Sequence, residues 1–138
     1  MKYQLSIFLI ILLSINYACT GRSGKSVASS GGEQDSTIIS FVTEIHDFGT
    51  INSGESVDCS FEFSNKGKKP LLIQEVIAGC GCTNVKFPKK PLAPNQKGTI
   101  EVTFNSAGRQ GYQHKSIKVI SNGSEKPVIL TFQVNVQQ

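Results

Sequence analysis

The chain has 138 residues, 38% of them hydrophobic, 17% charged and 8% aromatic, which suits one domain with one core and excludes a large multidomain enzyme. Its formal charge of +4 comes from 14 basic residues mostly interspersed with 10 acidic ones, so nucleic acid is not an expected partner. Thirteen glycines, five prolines and no tryptophan, together with short runs of Val, Ile, Phe and Thr, indicate a β-rich protein.

Residues 1–18 have the pattern of a lipoprotein signal peptide. Lys2 gives a positive start, and Leu5 to Ile15 is apolar except for two serines. This run is about half of the roughly 20 residues that a membrane-spanning helix needs, so a permanent span is not expected. Ala18-Cys19 resembles the box at which a bacterial signal peptidase cleaves before a lipid-bearing cysteine. We predict lipid attachment at Cys19; the alternative is cleavage that releases a soluble secreted protein with an incidental cysteine.

Residues 19–37 are predicted to be the lipidated cysteine and a flexible tether. From Thr20 to Thr37 there are five serines, four glycines and two apolar residues, so the segment has no hydrophobic face to bury. A coil of this kind reaches roughly 20–25 Å. Asp35-Ser36-Thr37 resembles a three-residue motif for periplasmic O-glycosylation in Bacteroidetes, which makes Ser36 a candidate glycosylation site.

Residues 38–138 alternate short apolar runs with turn residues, and no segment has a sustained helical period. In the clearest strand, residues 57–64, the positions of Val57, Cys59, Phe61 and Phe63 share one face and are expected to be buried. Six more strands are predicted, at residues 40–45, 71–77, 84–87, 99–104, 115–121 and 128–136. About seven strands in about 100 residues predict one all-β domain, an immunoglobulin-like β-sandwich.

Four glycines lie between these strand patterns, where chain reversal is expected. Positive φ costs little only for glycine, so each is predicted to form a turn with that geometry. The four are Gly49, Gly54, Gly67 and Gly123.

The chemically distinctive feature of the domain is the pair Cys80 and Cys82, separated by one glycine. Two such thiols can form a local disulfide, bind a soft metal such as Cu(I), or simply pack, and the sequence leaves all three open. Exported proteins meet an oxidising compartment, so we predict a labile local disulfide or a reduced pair. Cys59 is predicted to remain a buried free thiol.

No catalytic group is predicted, and neither enzyme activity nor a cofactor is expected. The sequence has two histidines and no G-x-S-x-G or H-E-x-x-H motif. His46 and Asp47 are neighbours in a strand and would face opposite sides unless a bulge intervenes. Zinc is not favoured, because His46, His114 and Cys59 lack the usual paired ligand spacing.

Two lysine-rich turns stand out in the charge pattern. They either form a basic end that faces anionic lipid or polysaccharide, or simply solvate loops. Their lysines are Lys66, Lys68, Lys69, Lys86, Lys89 and Lys90.

Several short motifs occur in a specific order: H-D-F-G-T-I at 46–51, G-E at 54–55, F-x-F-x-N-x-G at 61–67, P-L-x-I at 70–73 and C-G-C-T at 80–83. Together they resemble the bacterial family known as domain of unknown function 1573, over nearly all of residues 44–136. The resemblance implies an immunoglobulin-like domain that is often exported and often carried on lipoproteins in Bacteroidetes. It implies no established activity.

The leading hypothesis is a non-enzymatic binding or scaffold lipoprotein of the cell envelope. Lipid on Cys19 would anchor it in the outer membrane, facing the periplasm, and the sandwich would present sheet edges or loops to another envelope protein. The alternative is a Cu(I)-binding or thiol redox protein that uses Cys80 and Cys82.

Overall fold

The computed structural model describes residues 36–138. The predicted signal peptide, Cys19 and all of the tether before Ser36 lie outside the described residues. The described part is all-β and contains no helix long and apolar enough to cross a bilayer. Its strands are β1 (Ile39–Phe41), β2 (Ile45–Asn52), β3 (Ser56–Asn65), β4 (Ile73–Ala78), β5 (Thr83–Lys86), β6 (Lys97–Asn105), β7 (Gly111–Ser121) and β8 (Val128–Gln137).

The strands form two four-stranded sheets that share one core. Sheet 1 has the order β1-β3-β6-β5, and sheet 2 has the order β2-β8-β7-β4. All neighbours are antiparallel except β2 and β8. The strands correspond to those of a constant-type immunoglobulin domain. Sheet 1 matches the sheet formed by strands A, B, E and D, in the order β1, β3, β6 and β5. Sheet 2 contains the equivalents of strands C, F and G, which are β4, β7 and β8. The predicted immunoglobulin-like sandwich is confirmed.

The predicted strand at residues 40–45 is wrong in one respect, because the chain changes sheets within it. The Val42 N–H donates to the Glu62 carbonyl of sheet 1 at 3.0 Å. Two residues later, the Glu44 carbonyl accepts a hydrogen bond from the Thr131 N–H of sheet 2 at 2.7 Å. The segment therefore contributes to two strands, and the described residues contain eight strands where seven were predicted.

β2 continues through a glycine that was expected to form a turn between strands. The register of β2 against β8 shifts between Asp47 and Thr50, and Gly49 lies in this bulge with φ of 69°. The Asp47 carboxylate accepts a hydrogen bond from the Gly49 N–H at 2.7 Å. Other residues would pay roughly 1–2 kcal/mol for this left-handed conformation. Gly49 thus has the predicted positive φ, but in a bulge within a strand.

Gly67 and Gly123 differ from the prediction, since neither has positive φ. A Cβ atom on Gly67 would lie 2.3 Å from the Ser36 carbonyl oxygen. On Gly123 it would lie 2.9 Å from the backbone nitrogen of Ile39. Glycine is required at both positions because another part of the chain packs directly against the backbone.

The core lies between the inner faces of the two sheets. Phe104 of sheet 1 and Phe132 of sheet 2 meet there with ring centroids 5.3 Å apart. Cys59 on β3 has no cysteine opposite it, because the inward positions of β7 hold Ile117 and Val119. Apolar packing therefore provides the cohesion that an inter-sheet disulfide provides in antibody domains. The largest fully buried side chains are Phe61, Phe63, Phe104, Phe132, Leu71, Ile100, Ile117 and Leu130.

The two ends of the sandwich carry different connections. The chain enters the described domain where the Lys68 N–H donates to the Ser36 carbonyl at 2.9 Å, and we call this the entry end. The β3–β4, β5–β6 and β7–β8 connections also lie at the entry end, as the strand registers require. The opposite end, which we call the far end, carries the β2–β3, β4–β5 and β6–β7 connections.

Candidate functional site

The C-G-C loop, residues 79–82, joins β4 of sheet 2 to β5 of sheet 1 at the far end. Cys80 and Cys82 are linked by a disulfide with their Cα atoms 5.3 Å apart. The structure therefore contains the local disulfide, one of the three alternatives that the sequence left open. In this state neither sulfur is a thiolate that could ligate Cu(I).

The two sulfurs of the C-G-C loop differ in their surroundings but share a hydroxyl neighbour. Cys80 is partly exposed, whereas Cys82 is buried and belongs to the core cluster. The Thr83 hydroxyl oxygen lies 3.5 Å from the Cys80 Sγ and 3.8 Å from the Cys82 Sγ. A hydroxyl in this position can donate a hydrogen bond to either sulfur.

A shallow depression of about 270 Å³ lies beside the buried half of the disulfide. It is lined by Gly81, Cys82, Asn105, Ala107 and Arg109. The Arg109 guanidinium donates to the Ala107 carbonyl at 2.8 Å, which fixes a positive charge at this depression. The backbone is fixed as well, because the Asn105 N–H donates to the Cys82 carbonyl at 3.0 Å.

Cys59 is a free thiol buried on the inner face of β3. Its nearest strand partner is Val102 of β6, whereas the Cys82 carbonyl bonds to Asn105, three residues further along β6. Burial, with a smaller contribution from the Asp58 carboxylate, raises the pKa of Cys59 to about 11. The thiol is therefore protonated at neutral pH and chemically passive.

The two histidines lie in different environments. His46 packs edge-on against Phe48 with ring centroids 4.5 Å apart, while His114 is exposed on the outer face of sheet 2. Within residues 36–138, no three His, Cys, Asp or Glu side chains are grouped closely enough to hold a metal ion.

His46 and Asp47 have separate partners. The Asp47 carboxylate accepts hydrogen bonds from the Gly49 N–H and from the Gln133 amide, both at 2.7 Å. These two donors, the Gly49 N–H first, hold the pKa of Asp47 below its usual value, and His46 contributes least. Asp47 thus closes the bulge and spans to β8, which is a structural role.

The outer faces of the two sheets differ in polarity, a feature the sequence analysis did not single out. On sheet 1 the outward positions within the strands are polar, as in the cross-strand row Ser60, Glu101 and Lys86. Two exposed apolar residues, Ile38 and Val42, lie just outside the ends of β1 at the edge of this sheet. On sheet 2 three isoleucines are exposed, and we call them the isoleucine face: Ile45 (65% exposed), Ile77 (42%) and Ile129 (43%). Ile77 and Ile129 flank Lys118 in one cross-strand row. The sequence could have indicated this apolar face, because Ile129 is an apolar residue at an outward position of β8.

The entry end is rich in lysine. The β3–β4 and β5–β6 connections meet there through a bridge between Leu71 and Leu92, so both predicted basic turns lie at the same end. The Lys89 ammonium lies 3.4 Å from the centroid of the Phe87 ring. Ser36 is partly exposed at this end, in an open cleft beside residues 122–125. Its glycosylation stays a prediction.

Solved structures share this fold at low sequence identity. An uncharacterised protein from Porphyromonas gingivalis W83 superposes with a TM-score of 0.64 at 15% identity, over 73% of this chain and 47% of that chain. The ASH/PapD-like domain 7 of human CEP192 gives 0.58 at 14% identity, over 75% and 87% of the two chains. The Vibrio cholerae VesB protease gives 0.56 at 16%, over 72% of this chain and 32% of the protease. These similarities show a shared sandwich fold, and the chain spans less than half of the Porphyromonas protein.

A family model described as "Protein of unknown function (DUF1573)" matches residues 39–136. The match begins with β1 and ends within β8, so it covers the whole sandwich. No match was found among curated proteins.

Proposed function

The chain belongs to the DUF1573 family, since the family model covers more than half of it, and from this premise we propose that it is a lipid-anchored binding protein of the cell envelope. In this proposal the sandwich is a non-enzymatic module. Its binding surface is the isoleucine face of sheet 2, and its partner is another envelope polypeptide.

The observation that carries the proposal is the difference between the two outer faces. An apolar patch with polar surroundings marks a contact surface, whereas isolated exposed apolar residues are ordinary. Here Ile77 and Ile129 share a row with Lys118, and Ile45 lies on the next strand, opposite Thr131. On sheet 1 the exposed apolar residues of the described chain, Ile38 and Val42, lie just outside the two ends of β1 at the edge of the sheet, and they form no cross-strand row.

The charge on the isoleucine face defines the chemistry of the partner. Lys118 lies between two isoleucines, so covering the row would also cover its ammonium group. A buried charge is costly unless it is paired. The partner is therefore a polypeptide that presents apolar side chains around an acidic residue.

The anchor is supported by the sequence of residues 1–19 and by where the chain enters the domain. Residue 36 joins the sandwich at the lysine-rich entry end, so a lipid on Cys19 would tether that end to the membrane. Lysines near an anionic membrane surface each contribute about 1 kcal/mol of attraction. The entry end would then face the lipid, and the far end would face away from it.

The binding surface is tested by placing a glutamate on each face of the domain. Ile129→Glu would introduce a carboxylate opposite Lys118, and Ser64→Glu would introduce one opposite Lys97 on sheet 1. Both substitutions create an opposite-charge cross-strand pair, so both variants are expected to fold. In-cell crosslinking of the full-length protein should show an adduct with a defined envelope polypeptide, reduced about tenfold or more by Ile129→Glu only.

Melting curves of the two variants provide the control for folding. Equal adduct yields in wild type and both variants would contradict the assignment of the isoleucine face. Loss of the adduct in Ser64→Glu alone would place the contact on sheet 1 and overturn the proposal.

A further inference from the structure

The two cysteines of the disulfide in the C-G-C loop differ in their exposure to solvent. Cys80 is partly exposed and Cys82 is buried. The residue between them, Gly81, is exposed, and a Cβ atom built on it would meet nothing within 4 Å. Cys80 is therefore the more exposed of the two residues, and an incoming thiolate can reach it from solvent more readily than it can reach Cys82.

The surroundings of Cys82 suit a leaving group in thiol–disulfide exchange. The Thr83 hydroxyl lies 3.8 Å from the Cys82 Sγ and can donate a hydrogen bond to it as negative charge develops. Arg109 contributes a fixed positive charge to the depression that Cys82 also lines. Nearby cations and hydrogen-bond donors stabilise a thiolate, and a more stable thiolate leaves faster.

The loop is also held by hydrogen bonds that do not depend on the disulfide. The Thr83 N–H donates to the Cys80 carbonyl at 3.3 Å, and the Asn105 N–H donates to the Cys82 carbonyl at 3.0 Å. Opening the disulfide would leave both bonds in place. The two sulfurs would then stay close enough to join again.

We propose that the C-G-C loop is a two-electron thiol–disulfide exchange site whose substrate is a dithiol on an exported polypeptide. One thiolate of the substrate attacks the Cys80 Sγ, a mixed disulfide forms, and the Cys80–Cys82 bond breaks with its electron pair on the Cys82 Sγ. The second substrate thiolate attacks the substrate sulfur of the mixed disulfide and releases Cys80 as a thiolate. The substrate is oxidised to a disulfide, and both cysteines take up protons from water.

The same steps in reverse pass two electrons from the reduced loop to a substrate disulfide. The Thr83 hydroxyl lies against both reacting sulfurs, and in this scheme it donates a hydrogen bond to the Cys82 Sγ as negative charge develops there. The proposed exchange uses none of the side chains of the isoleucine face.

The first experiment tests which cysteine of the loop forms the mixed disulfide, in the direction in which the reduced loop attacks a disulfide. In the detergent-solubilised full-length protein, Cys82→Ser leaves a thiol at position 80, and Cys80→Ser leaves one at position 82. Each variant is mixed with glutathione disulfide under native conditions, and the mixed disulfide is located by peptide mass mapping. Position 80 should react at least tenfold faster than position 82. Equal rates at the two positions would overturn the assigned roles.

The second experiment tests the exchange itself and the part played by Thr83. Wild type, Thr83→Val and Thr83→Ser are reduced with dithiothreitol and alkylated at intervals. Reduction should proceed in the folded protein with an unchanged near-UV spectrum, should slow about fivefold or more in Thr83→Val, and should keep its rate in Thr83→Ser. If the Cys80–Cys82 disulfide is reduced only after denaturation, its role is structural and the proposed exchange is wrong. Equal rates in all three proteins would refute the role of Thr83.

Discussion

Cys59 lies opposite Val102 on the inner face of β3, and its ionisation is coupled to folding. Burial raises the pKa of this thiol from 9.0 to about 11. Below pH 9 the thiol is protonated in both the folded and the unfolded chain, so it makes no pH-dependent contribution. Between pH 9 and 11 the unfolded chain releases the proton and the folded chain keeps it, so the free energy of unfolding falls as pH rises.

This coupling gives a prediction for alkaline pH. Two pKa units correspond to about 2.7 kcal/mol in total, of which about 2.3 kcal/mol should be lost between pH 8 and pH 11, because the thiol of the folded chain is half ionised at pH 11. Urea unfolding of wild type and Cys59→Ala at both pH values measures it. Lysines and tyrosines titrate in both proteins, so their contribution cancels in the comparison. The difference in stability between the two proteins should shrink by about that amount at pH 11; a constant difference would show that the thiol ionises normally in the folded state.

At the scale of single elements, β3 shows how well the alternation of apolar and polar residues predicts which side chains of a strand are buried. Its inward positions Cys59, Phe61 and Phe63 are 7%, 0% and 1% exposed, as the alternating pattern of apolar and polar residues predicts. Val57, predicted to be buried on the same face, is only partly buried. The strand is paired on both sides, to β1 and to β6, so its register is fixed by two neighbours and by the core together.

Truncation of Phe61 tests the contribution of this element. Phe61→Ala should lower the free energy of unfolding by about 3–5 kcal/mol, because a fully buried ring is removed and neighbouring side chains fill the cavity only in part. Ser60→Ala, one residue away on the outer face, should change stability by less than about 0.5 kcal/mol. Chemical denaturation of both variants supplies the comparison, and a near-native midpoint for Phe61→Ala would mean that the side chain is not in the core.

The elements that the sequence did not predict depend on contacts between distant parts of the chain. Alternation is a local property and places β3, β6 and β8 with the correct faces. The crossing at Val42 depends on β8 having a free edge that β2 can join, which no local pattern reveals. Likewise, the need for glycine at position 67 comes from Ser36, which lies far away in sequence.

The candidate site, like the fold, was predictable only in the features that depend on residues close together in the sequence. The C-G-C spacing identified the cysteines, but their unequal exposure follows from the loop joining two sheets at the far end. The role proposed for Thr83 depends on the position of its hydroxyl near both sulfurs. Arg109 was not identified at all, because it lies in the β6–β7 connection and reaches the depression only through the fold.

At the scale of the whole molecule, the two ends of the sandwich would have different tasks. The entry end holds the basic turns and the point at which residue 36 joins the domain. The far end holds the C-G-C loop. A lipid on Cys19 would keep the lysines near the headgroups and leave the disulfide accessible to substrates in the surrounding compartment.

That arrangement requires acylation of Cys19, which is the prediction on which the membrane assignment depends. Each buried methylene contributes about 0.8 kcal/mol, so one acyl chain binds a membrane weakly and several chains on one cysteine bind it stably. Radiolabelled palmitate should enter the wild-type protein, and the label should remain with the membrane fraction. Cys19→Ala should take up no label, and Cys59→Ala should be labelled like the wild type because it retains the cysteine at position 19. A mature protein that is unlabelled and recovered entirely in the soluble fraction would remove the anchor and, with it, the orientation of the two ends.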